Sequence, residues 1–383
     1  MLQRKLIEKY LLNDDLSTYD PYDIWKTGVG IKTKKLYYKN KYIGLIPAGL
    51  LSIYDIYINN RLRISYKKQE YPIVRAQAAL SLMNLYKKVN NPEYLEYAKK
   101  HIDWLLNNYC TGYSGYCWGI GFDWIYSSDR IYNRNTPFST HTPYPLEAIV
   151  EYYNLTKDDR LIDVIKSVYG FLENDLKIMK EDKNELIMSY GAEKDRIVVN
   201  SNSYIMYMYA LLIPFFENEQ DYIKNKIRRI YSFVSRVQGS DGSWVYAPFD
   251  SKSFIDCFHS AFVIKNIIKT SNRINLENSD KAVQKGIDYI YSNFFDQDIK
   301  LFKRFSKNNK ISLTKFDLYD NAEMLLLAKL RSDEKMTALI NNSIKKNFLE
   351  EGGIYSMLDL FGFKKNKNTL RWAVMPYLLA ASL

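Results

Sequence analysis

The feature that most constrains the fold is a pair of helices that recurs along the chain from residue 71 onward. Apolar residues recur at helical spacing through 74–88, 93–108, 145–155, 158–176, 201–216, 219–237, 258–271, 278–294, 319–331, 334–347 and 368–382. The second helix of successive pairs ends at 105–109, 171–176, 233–238, 291–295 and 346–350, so these ends are about 55 to 67 residues apart. Such a unit buries its apolar face only by stacking against its neighbours.

Five such pairs predict an all-α protein with an α/α toroid, either an incomplete or a complete (α/α)6 barrel of helix hairpins. We expect residues 1–70 to form an N-terminal extension that packs on the toroid as a cap or sixth pair, and residues 71–383 to form the toroid domain. An open solenoid is the alternative, although its units are usually shorter and more uniform. In a toroid, the loops at one end of the inner helices form a concave face, where a ligand binds.

The segment 111–124, TGYSGYCWGIGFDW, combines glycines and aromatic residues in a way that is unusual for a helix interior. Glycine lets the backbone approach a ligand closely, and the rings of Trp118 and Trp124 can stack on sugars. Asp123 lies between two aromatic residues and is a candidate catalytic acid, although a loop cap or a salt bridge explains it equally well.

Two further segments place polar residues where inner helices begin. His141, one of three histidines, lies in 135–147, NTPFSTHTPYPLE, just before a helix, where a general base or a hydrogen-bond donor would be useful. Tyr204 lies in 200–204, NSNSY, and is a candidate for proton transfer. An ordinary loop histidine and an ordinary helix cap are the competing interpretations.

The segment 238–262 carries the most specific signals. Gln238, Gly242 and Trp244 have the Gln-x-x-x-Gly-x-Trp spacing that resembles the repeat of squalene-cyclase and prenyltransferase-like toroids, where it joins helix ends. Asp256 and His259 are three residues apart at a helix start, so their side chains share one face. A helix cap and a structural histidine account for the same two residues. Trp244 and Tyr246 are candidate sugar-stacking residues.

Asp256, Cys257 and His259 also suggest zinc, but adjacent Asp and Cys at a helix start point in different directions, and three or four converging ligands are needed. We therefore expect no metal and no cofactor.

Several charged residues elsewhere are candidates for binding an anionic group. Arg75 lies on an apolar helix, where a buried arginine needs a partner, and Arg371 with Trp372 opens the last helix. Asp317, Asp320 and Glu323 share a helix face, which we interpret as solvated.

The composition limits the classes of molecule that this protein is expected to bind. The chain has 54 Lys and Arg against 43 Asp and Glu, a net charge of +11, which attracts polyanions. The basic residues form no long run or arm, so we expect no nucleic-acid binding. Aromatic residues make up 15%, with 34 Tyr, which suits the wall of a wet, adhesive groove, although an AT-rich genome produces the same excess.

Three cysteines in 383 residues argue against a disulfide scaffold, and the charged first residues do not read as a signal peptide. No uninterrupted apolar run approaches the roughly 18 residues of a spanning helix. We therefore expect a cytoplasmic protein that is peripheral to a membrane at most.

Together GYCWGIGFDW, NTPFSTHTPY, GSDGSWVY, FIDCFHSAF and RWAVMPYLLAA resemble a family of bacterial and archaeal α/α-toroid proteins encoded among cell-surface polysaccharide genes. The resemblance covers roughly residues 70–380. More remotely, the arrangement is similar to the helical domain of glucuronyl C5-epimerases, and to uronate lyases and unsaturated glucuronyl hydrolases. None of their catalytic motifs transfers residue by residue.

The resemblance implies a polysaccharide or oligosaccharide substrate, together with membrane or polysaccharide-assembly partners, and it leaves the oligomeric state open. Epimerisation or elimination at C5 of a uronate needs a base, an acid and a cation for the carboxylate. His259, His141, Tyr204 and Tyr246 could be base and acid, and Arg75 or Arg371 could bind the carboxylate. A glycoside hydrolase would need a carboxyl pair, for which Asp123 with Asp256 or Asp241 is available. A glycan-binding or scaffold toroid without catalysis is the other alternative.

Overall fold

The computed structural model describes residues 4–128, 130–192, 196–251, 253–306 and 312–383. Its α-helices are α1 (Arg4–Tyr10), α2 (Gly28–Lys39), α3 (Lys41–Ile53), α4 (Asn60–Leu62), α5 (Pro72–Val89), α6 (Pro92–Asn107), α7 (Pro143–Thr156), α8 (Arg160–Gly170), α9 (Val199–Leu212), α10 (Gln220–Arg236), α11 (Cys257–Ser271), α12 (Ser279–Phe294), α13 (Leu318–Leu330), α14 (Glu334–Phe348) and α15 (Met375–Ser382). Turns of π-helix occupy Tyr54–Asn59, Phe171–Asp175 and Leu370–Val374, and 3-10 turns occupy Asp23–Lys26, Ile213–Phe215 and Glu217–Glu219.

The helices form a closed double ring. The inner ring runs α5, α7, α9, α11, α13 and α15, each packed on the next, and α15 packs back onto α5. The helices α6, α8, α10, α12 and α14 each pack outside the inner helix that precedes them. All residues of α9 are buried, whereas α10 is buried along one face only, as expected for an inner and an outer helix. The predicted all-α toroid is confirmed.

The N-terminal segment lies at the seam of the ring. Ile7, Tyr10 and Leu11 belong to the hydrophobic core. Lys9 Nζ donates to the carbonyl of Gly352 (2.7 Å), and Tyr10 Oη donates to Asn368 (2.7 Å). The first residues therefore hold the last part of the chain and help to close the ring. The division into a cap over 1–70 and a toroid over 71–383 stays a prediction.

Indole and amide groups join the helix ends within the repeats. The indole N–H of Trp118 donates to the carbonyl of Leu105 (3.1 Å), and that of Trp244 donates to Val234 (2.9 Å). Gln238 Nε2 donates to the carbonyls of Gly242 (3.1 Å) and of Ala282 on α12 (2.9 Å). The Gln-x-x-x-Gly-x-Trp spacing is thus a structural joint.

Short antiparallel strands fill the loops: β1 (Trp124–Ile125) with β2 (Ile131–Tyr132), β3 (Ile178–Glu181) with β4 (Leu186–Met188), and β5 (Phe295–Asp296) with β6 (Leu301–Phe302). A larger sheet has the order β10 (Lys364–Lys367), β9 (Gly353–Asp359), β7 (Thr314–Asp317), with β8 (Leu349–Glu350) also on β9. Its register pairs Phe316 with Leu358 and Lys365 with Met357.

The three acids near the start of α13 are buried, so their interpretation as solvated was wrong. Glu323 accepts from Lys265 Nζ at 2.6 Å, and Asp317 accepts from Arg304 at 3.1 Å. Asp320 accepts from the backbone N–H of Phe258 at 2.9 Å. Partners from other helix pairs make burial tolerable, and sequence spacing within one helix does not reveal them.

One helical stretch stands apart from the ring. Within the described residues, Lys41–Leu62 is the one helix with the length and composition to cross a membrane, and only 17% of its apolar window is buried. Asp55 interrupts its apolar run, which is why the sequence analysis found no segment of spanning length.

Candidate functional site

A cavity of about 380 Å³ lies at one end of the toroid. Every inner helix contributes to its wall with a residue in its first turn or just before it; in chain order these are Ile73, His141, Asn200, His259, Tyr319 and Trp372. The toroid therefore brings the predicted concave face together at the N-terminal ends of all six inner helices. Among the described residues that line the cavity, the charged side chains are arginines and none is a carboxylate.

Asp256 caps α11 and orients His259. Its carboxylate accepts from the backbone N–H of His259 (3.2 Å), and both its oxygens lie near the ring Nδ1, at 2.8 and 2.9 Å. The carboxylate holds the proton on Nδ1, so in the neutral ring the free lone pair is on Nε2. Tyr246 and Phe258 pack against this ring, with centroids 4.5 and 4.0 Å away. The arrangement suits a general base facing the cavity.

His141 lies on the same wall in a different electrostatic state. Desolvation, with Arg371 nearby, lowers its pKa to about 3. Its Nδ1 is 3.2 Å from the hydroxyl of Thr140. The ring is therefore neutral at physiological pH and can act as a hydrogen-bond partner for a substrate hydroxyl.

Tyr204 lines the cavity and belongs to a buried chain of polar side chains. Its hydroxyl is 2.6 Å from that of Tyr144, whose oxygen accepts from Lys265 Nζ at 3.3 Å, and Lys265 is paired with Glu323. Burial raises the pKa of the Tyr204 phenol well above its ordinary value. Tyr204 therefore stays protonated and can only serve as an acid, with a chain of groups that could return its proton.

Two of the three cavity arginines are held by buried carboxylates. Arg371 forms an ion pair with Asp20. Arg304 donates to Asp317 (3.1 Å) and to the hydroxyl of Tyr22 (2.7 Å). Each of these positive charges is balanced within the protein.

Arg196 is different. Its guanidinium lies over the rings of Tyr126, Tyr190 and Tyr246 at 5.0, 5.9 and 5.2 Å. Within the described part of the chain, no Asp or Glu side chain forms an ion pair with Arg196. In this respect it differs from Arg304 and Arg371. Burial lowers the pKa of Arg196, but coulombic interaction with the phenol groups of Tyr246, Tyr126 and Tyr190 outweighs burial and leaves the pKa above its ordinary value. An unbalanced cation on a cavity wall favours an anionic ligand.

The structure brings together most of the predicted site. His141, His259 and Tyr204 line the cavity, with Asp256 bonded behind His259; so do the predicted substrate-binding residues Trp124, Tyr246, Arg371 and Trp372. Trp372 stacks on Tyr319 and donates its indole N–H to Asp317 (2.7 Å).

Four predicted residues lie elsewhere. Trp118 and Trp244 are buried in the helix joints described above, where their rings cannot meet a ligand. Arg75 is buried on α5, paired with Glu70 and 2.9 Å from His101 Nδ1. Asp123 is exposed, and its carboxylate accepts from the backbone N–H of Arg134.

The sequence analysis missed Arg196, Arg304 and Tyr22. The arginines lie in segments between helices, and Tyr22 lies in the N-terminal extension. Nothing in their local spacing marks them, because their neighbours in the cavity come from distant parts of the chain.

A metal site is not apparent: within the described ranges no group of three or more His, Cys, Asp and Glu is placed to hold an ion. Cys257 is buried, and burial raises the pKa of its thiol well above the ordinary value.

No protein-family model matches this sequence, and no curated protein sequence matches it. Solved structures do match. A cellobiose 2-epimerase from Bacillus thermoamylovorans is 15% identical with a TM-score of 0.62, over 82% of this chain and 87% of that one.

Two solved structures of proteins that are named for other activities also match this chain. A GH76 α-mannanase from Bacteroides thetaiotaomicron is 12% identical with a TM-score of 0.59, over 95% and 98% of the two chains. A polysaccharide lyase is 12% identical with a TM-score of 0.55, over 93% and 97%. The chain has the fold of α/α-toroid carbohydrate-active enzymes. At these identities the likeness establishes the fold and leaves the reaction to the site.

Proposed function

We propose that this protein is an enzyme that moves a proton on an anionic saccharide, at C5 of a uronate residue, with epimerisation or elimination as the outcome. The observation that carries the proposal is that a carboxylate-oriented His259 and Arg196 line the same cavity. Among the described residues, Arg196 has no acidic ion-pair partner and the cavity lining holds no carboxylate.

The first step is removal of the C5 proton. His259 takes it on Nε2, and the bond from Nδ1 to Asp256 stabilises the imidazolium that forms. The electron pair left on C5 moves into the neighbouring carboxylate. This group then carries additional negative charge, which Arg196 neutralises.

The second step needs an acid. The Tyr204 hydroxyl donates its proton to the opposite face of C5 in an epimerisation. In an elimination the proton goes instead to the oxygen that leaves C4 as the C4–O bond breaks. Tyr204 regains a proton through Tyr144 from Lys265. After the turnover His259 releases its proton to water and Lys265 takes one up from water, which returns the enzyme to its starting state. His141 holds a substrate hydroxyl.

A glycoside hydrolase is disfavoured by the same geometry. Hydrolysis needs two carboxyl groups roughly 5 to 9.5 Å apart across the scissile bond. Asp123 is exposed away from the cavity and Asp256 is committed to His259, so neither candidate pair is available. One protein with the same fold is a cellobiose 2-epimerase, which supports epimerisation as one of the two proposed outcomes.

The test is incubation with uronate-containing polysaccharides in deuterated water. Solvent deuterium at C5 identifies an epimerase, and new ultraviolet absorbance from an unsaturated product identifies a lyase. We expect His259→Ala and Asp256→Asn to lower turnover at least about a hundredfold, with helical content and Tm nearly unchanged. Asp123→Asn is the matched control and should keep full activity. Retained activity in either site variant would refute the assignment, and binding without exchange would favour a glycan-binding toroid.

A role in polysaccharide biosynthesis and a cytoplasmic location stay predictions. Detection of the deuterated or unsaturated product in the surface glycan of producing cells would test the first.

A further inference from the structure

The stretch α3 to α4 presents an apolar face to the outside. In a surface helix the outward residues are normally polar, but here Tyr42, Ile46 and Leu50 are 86%, 70% and 63% exposed. The apolar face consists of these and of Ile43, Leu45, Ile53, Tyr57, Ile58 and Leu62, all exposed. Contiguous apolar surface of this kind marks an interaction site.

The tip of the β9–β10 hairpin extends this face. Phe361 and Phe363 are 76% and 63% exposed at the tip. The hairpin adjoins the helix, since Lys365 Nζ lies 4.7 Å from the Tyr57 ring centroid and Asn60 donates to Asn366 at 3.0 Å. Two elements distant in sequence thus expose apolar side chains side by side.

The charge around this face is strongly positive. Residues 28–68 contain nine Lys and Arg and one acidic residue, Asp55, which is a net charge of +8 out of +11 for the whole chain. Asp55 is buried, and its carboxylate accepts from the hydroxyl of Tyr66. The apolar face is therefore framed by basic residues: Lys39 and Lys41 at one end, and a group from Arg61 to Lys68 at the other.

We propose that the apolar face and the hairpin tip dock on an anionic lipid bilayer. An apolar face that inserts at the headgroup boundary, with lysines and arginines beside it, has the chemistry that anionic lipids attract. Another copy of this basic surface would repel it, so charge favours lipid over self-association.

The helix lies on the membrane rather than across it. Its other side is occupied: a Cβ at Gly44 would come within 2.2 Å of the backbone of Tyr37 on α2. Asp55 and Asn59 on that side are buried within the protein. A spanning helix would expose these groups to hydrocarbon, which is costly.

Docking also has a consequence for the cavity. A second cavity, of about 480 Å³, is lined by α2, α3 and two residues shared with the first cavity, Tyr22 and Trp124. The Lys34 ammonium lies 3.1 Å from the Trp124 ring centroid. The docking elements thus adjoin one wall of the catalytic cavity, although the docking proposal does not depend on the catalytic one.

The test is sedimentation of the full chain with vesicles. We expect binding to phosphatidylcholine mixed with phosphatidylglycerol, little binding to phosphatidylcholine alone, and weaker binding at high salt. Phe361→Ser with Phe363→Ser should weaken binding about tenfold or more. Tyr222→Ser with Phe249→Ser, which changes two aromatic residues exposed elsewhere, should have no effect.

A charge-reversal pair separates electrostatic attraction from apolar insertion. Lys67→Glu with Lys68→Glu should weaken binding about tenfold or more, whereas the matched adjacent pair Lys345→Glu with Lys346→Glu on α14 should not.

Three results would overturn the proposal. The first is absence of binding to anionic vesicles. The second is membrane association that withstands alkaline extraction and yields only to detergent, which would mean that the helix spans. The third is a lipid-independent dimer that the hairpin variant converts to monomer.

Discussion

The buried ion pair between Lys265 on α11 and Glu323 on α13 should contribute strongly to stability. Its atoms are 2.6 Å apart, and the two side chains are only 3% and 2% exposed. Lys265→Met leaves the Glu323 carboxylate buried without its counter-charge, which costs about 3 to 5 kcal/mol. For a chain of this length that corresponds to a fall in Tm of roughly 4 to 6 °C.

The loss should depend on pH in a defined direction. Without Lys265 the buried Glu323 carboxylate has no counter-charge, so burial then disfavours its charged form. Acid protonates carboxylates, which removes the cost of burying an unpaired negative charge. The difference between wild type and variant is therefore largest near neutrality and shrinks toward about pH 4.5.

Thermal unfolding, followed by circular dichroism near pH 7 and near pH 4.5, measures the difference in stability between wild type and variant. Lys269→Met is the matched control, one turn further along α11, because its pair with Glu147 at 2.6 Å is more exposed, at 17% and 15%. It should lower the free energy of unfolding by clearly less than Lys265→Met does, because water reaches both side chains of this pair. Lys265→Met with Glu323→Met should recover most of the stability. Equal losses for the two lysine variants, or a loss that does not shrink in acid, would refute the reasoning.

The remaining predictions concern the helix joints and the second cavity histidine. Gly242→Ala should lower the free energy of unfolding in urea by about 2 kcal/mol or more, because φ is +93° and a Cβ would lie 2.2 Å from the carbonyl oxygen of Lys285. Gly112→Ala is the control: its φ is +85°, but no atom lies near the added Cβ, so the loss should be clearly smaller. Trp118→Phe should lower the free energy of unfolding by about 1 to 3 kcal/mol in the same assay. It removes the indole hydrogen bond to the Leu105 carbonyl, which keeps only the bond from the Asn108 N–H at 3.3 Å, and it leaves a gap where part of the buried ring was. The pKa of His141 is lowered to about 3, so NMR should show the nitrogen chemical shifts of a neutral ring between about pH 5 and 8. Below about pH 6.5 the unfolded chain binds a proton at this residue and the folded protein does not, so His141 should reduce the free energy of unfolding there. Titration of the ring near pH 6.5 in the folded protein would contradict its placement.

The spacing of residues along the chain was enough to predict a large part of the fold and the Asp256–His259 pair in the site. The inner and outer helices follow from apolar periodicity, and the joint around Gln238 and Trp244 follows from contacts made largely within one repeat. Asp256 and His259 were predictable as a pair because a cap residue and the residue three positions later always meet at a helix start. These contacts are encoded within about one helical turn or one hairpin.

The rest of the cavity depends on ring closure. Arg371 is paired with Asp20 across 351 positions, and Arg304 contacts Tyr22 across 282. No window of sequence contains both members of either pair. The same reason explains why Trp118 and Arg75 were wrongly expected to face a ligand. The sequence shows that a residue is aromatic or cationic, but only tertiary packing decides whether its side chain faces the cavity or the core.

The sequence by itself determined the repeated helix pair, the Gln238–Gly242 contact of one helix joint, and the carboxylate that orients His259, since each depends on residues that are close together along the chain. The tertiary structure alone decided that six helix starts surround one cavity, that Arg196 has no acidic partner there among the described residues, and that the apolar side of α3 faces outward. The physical reason is that burial and charge balance depend on what the closed ring places next to each side chain.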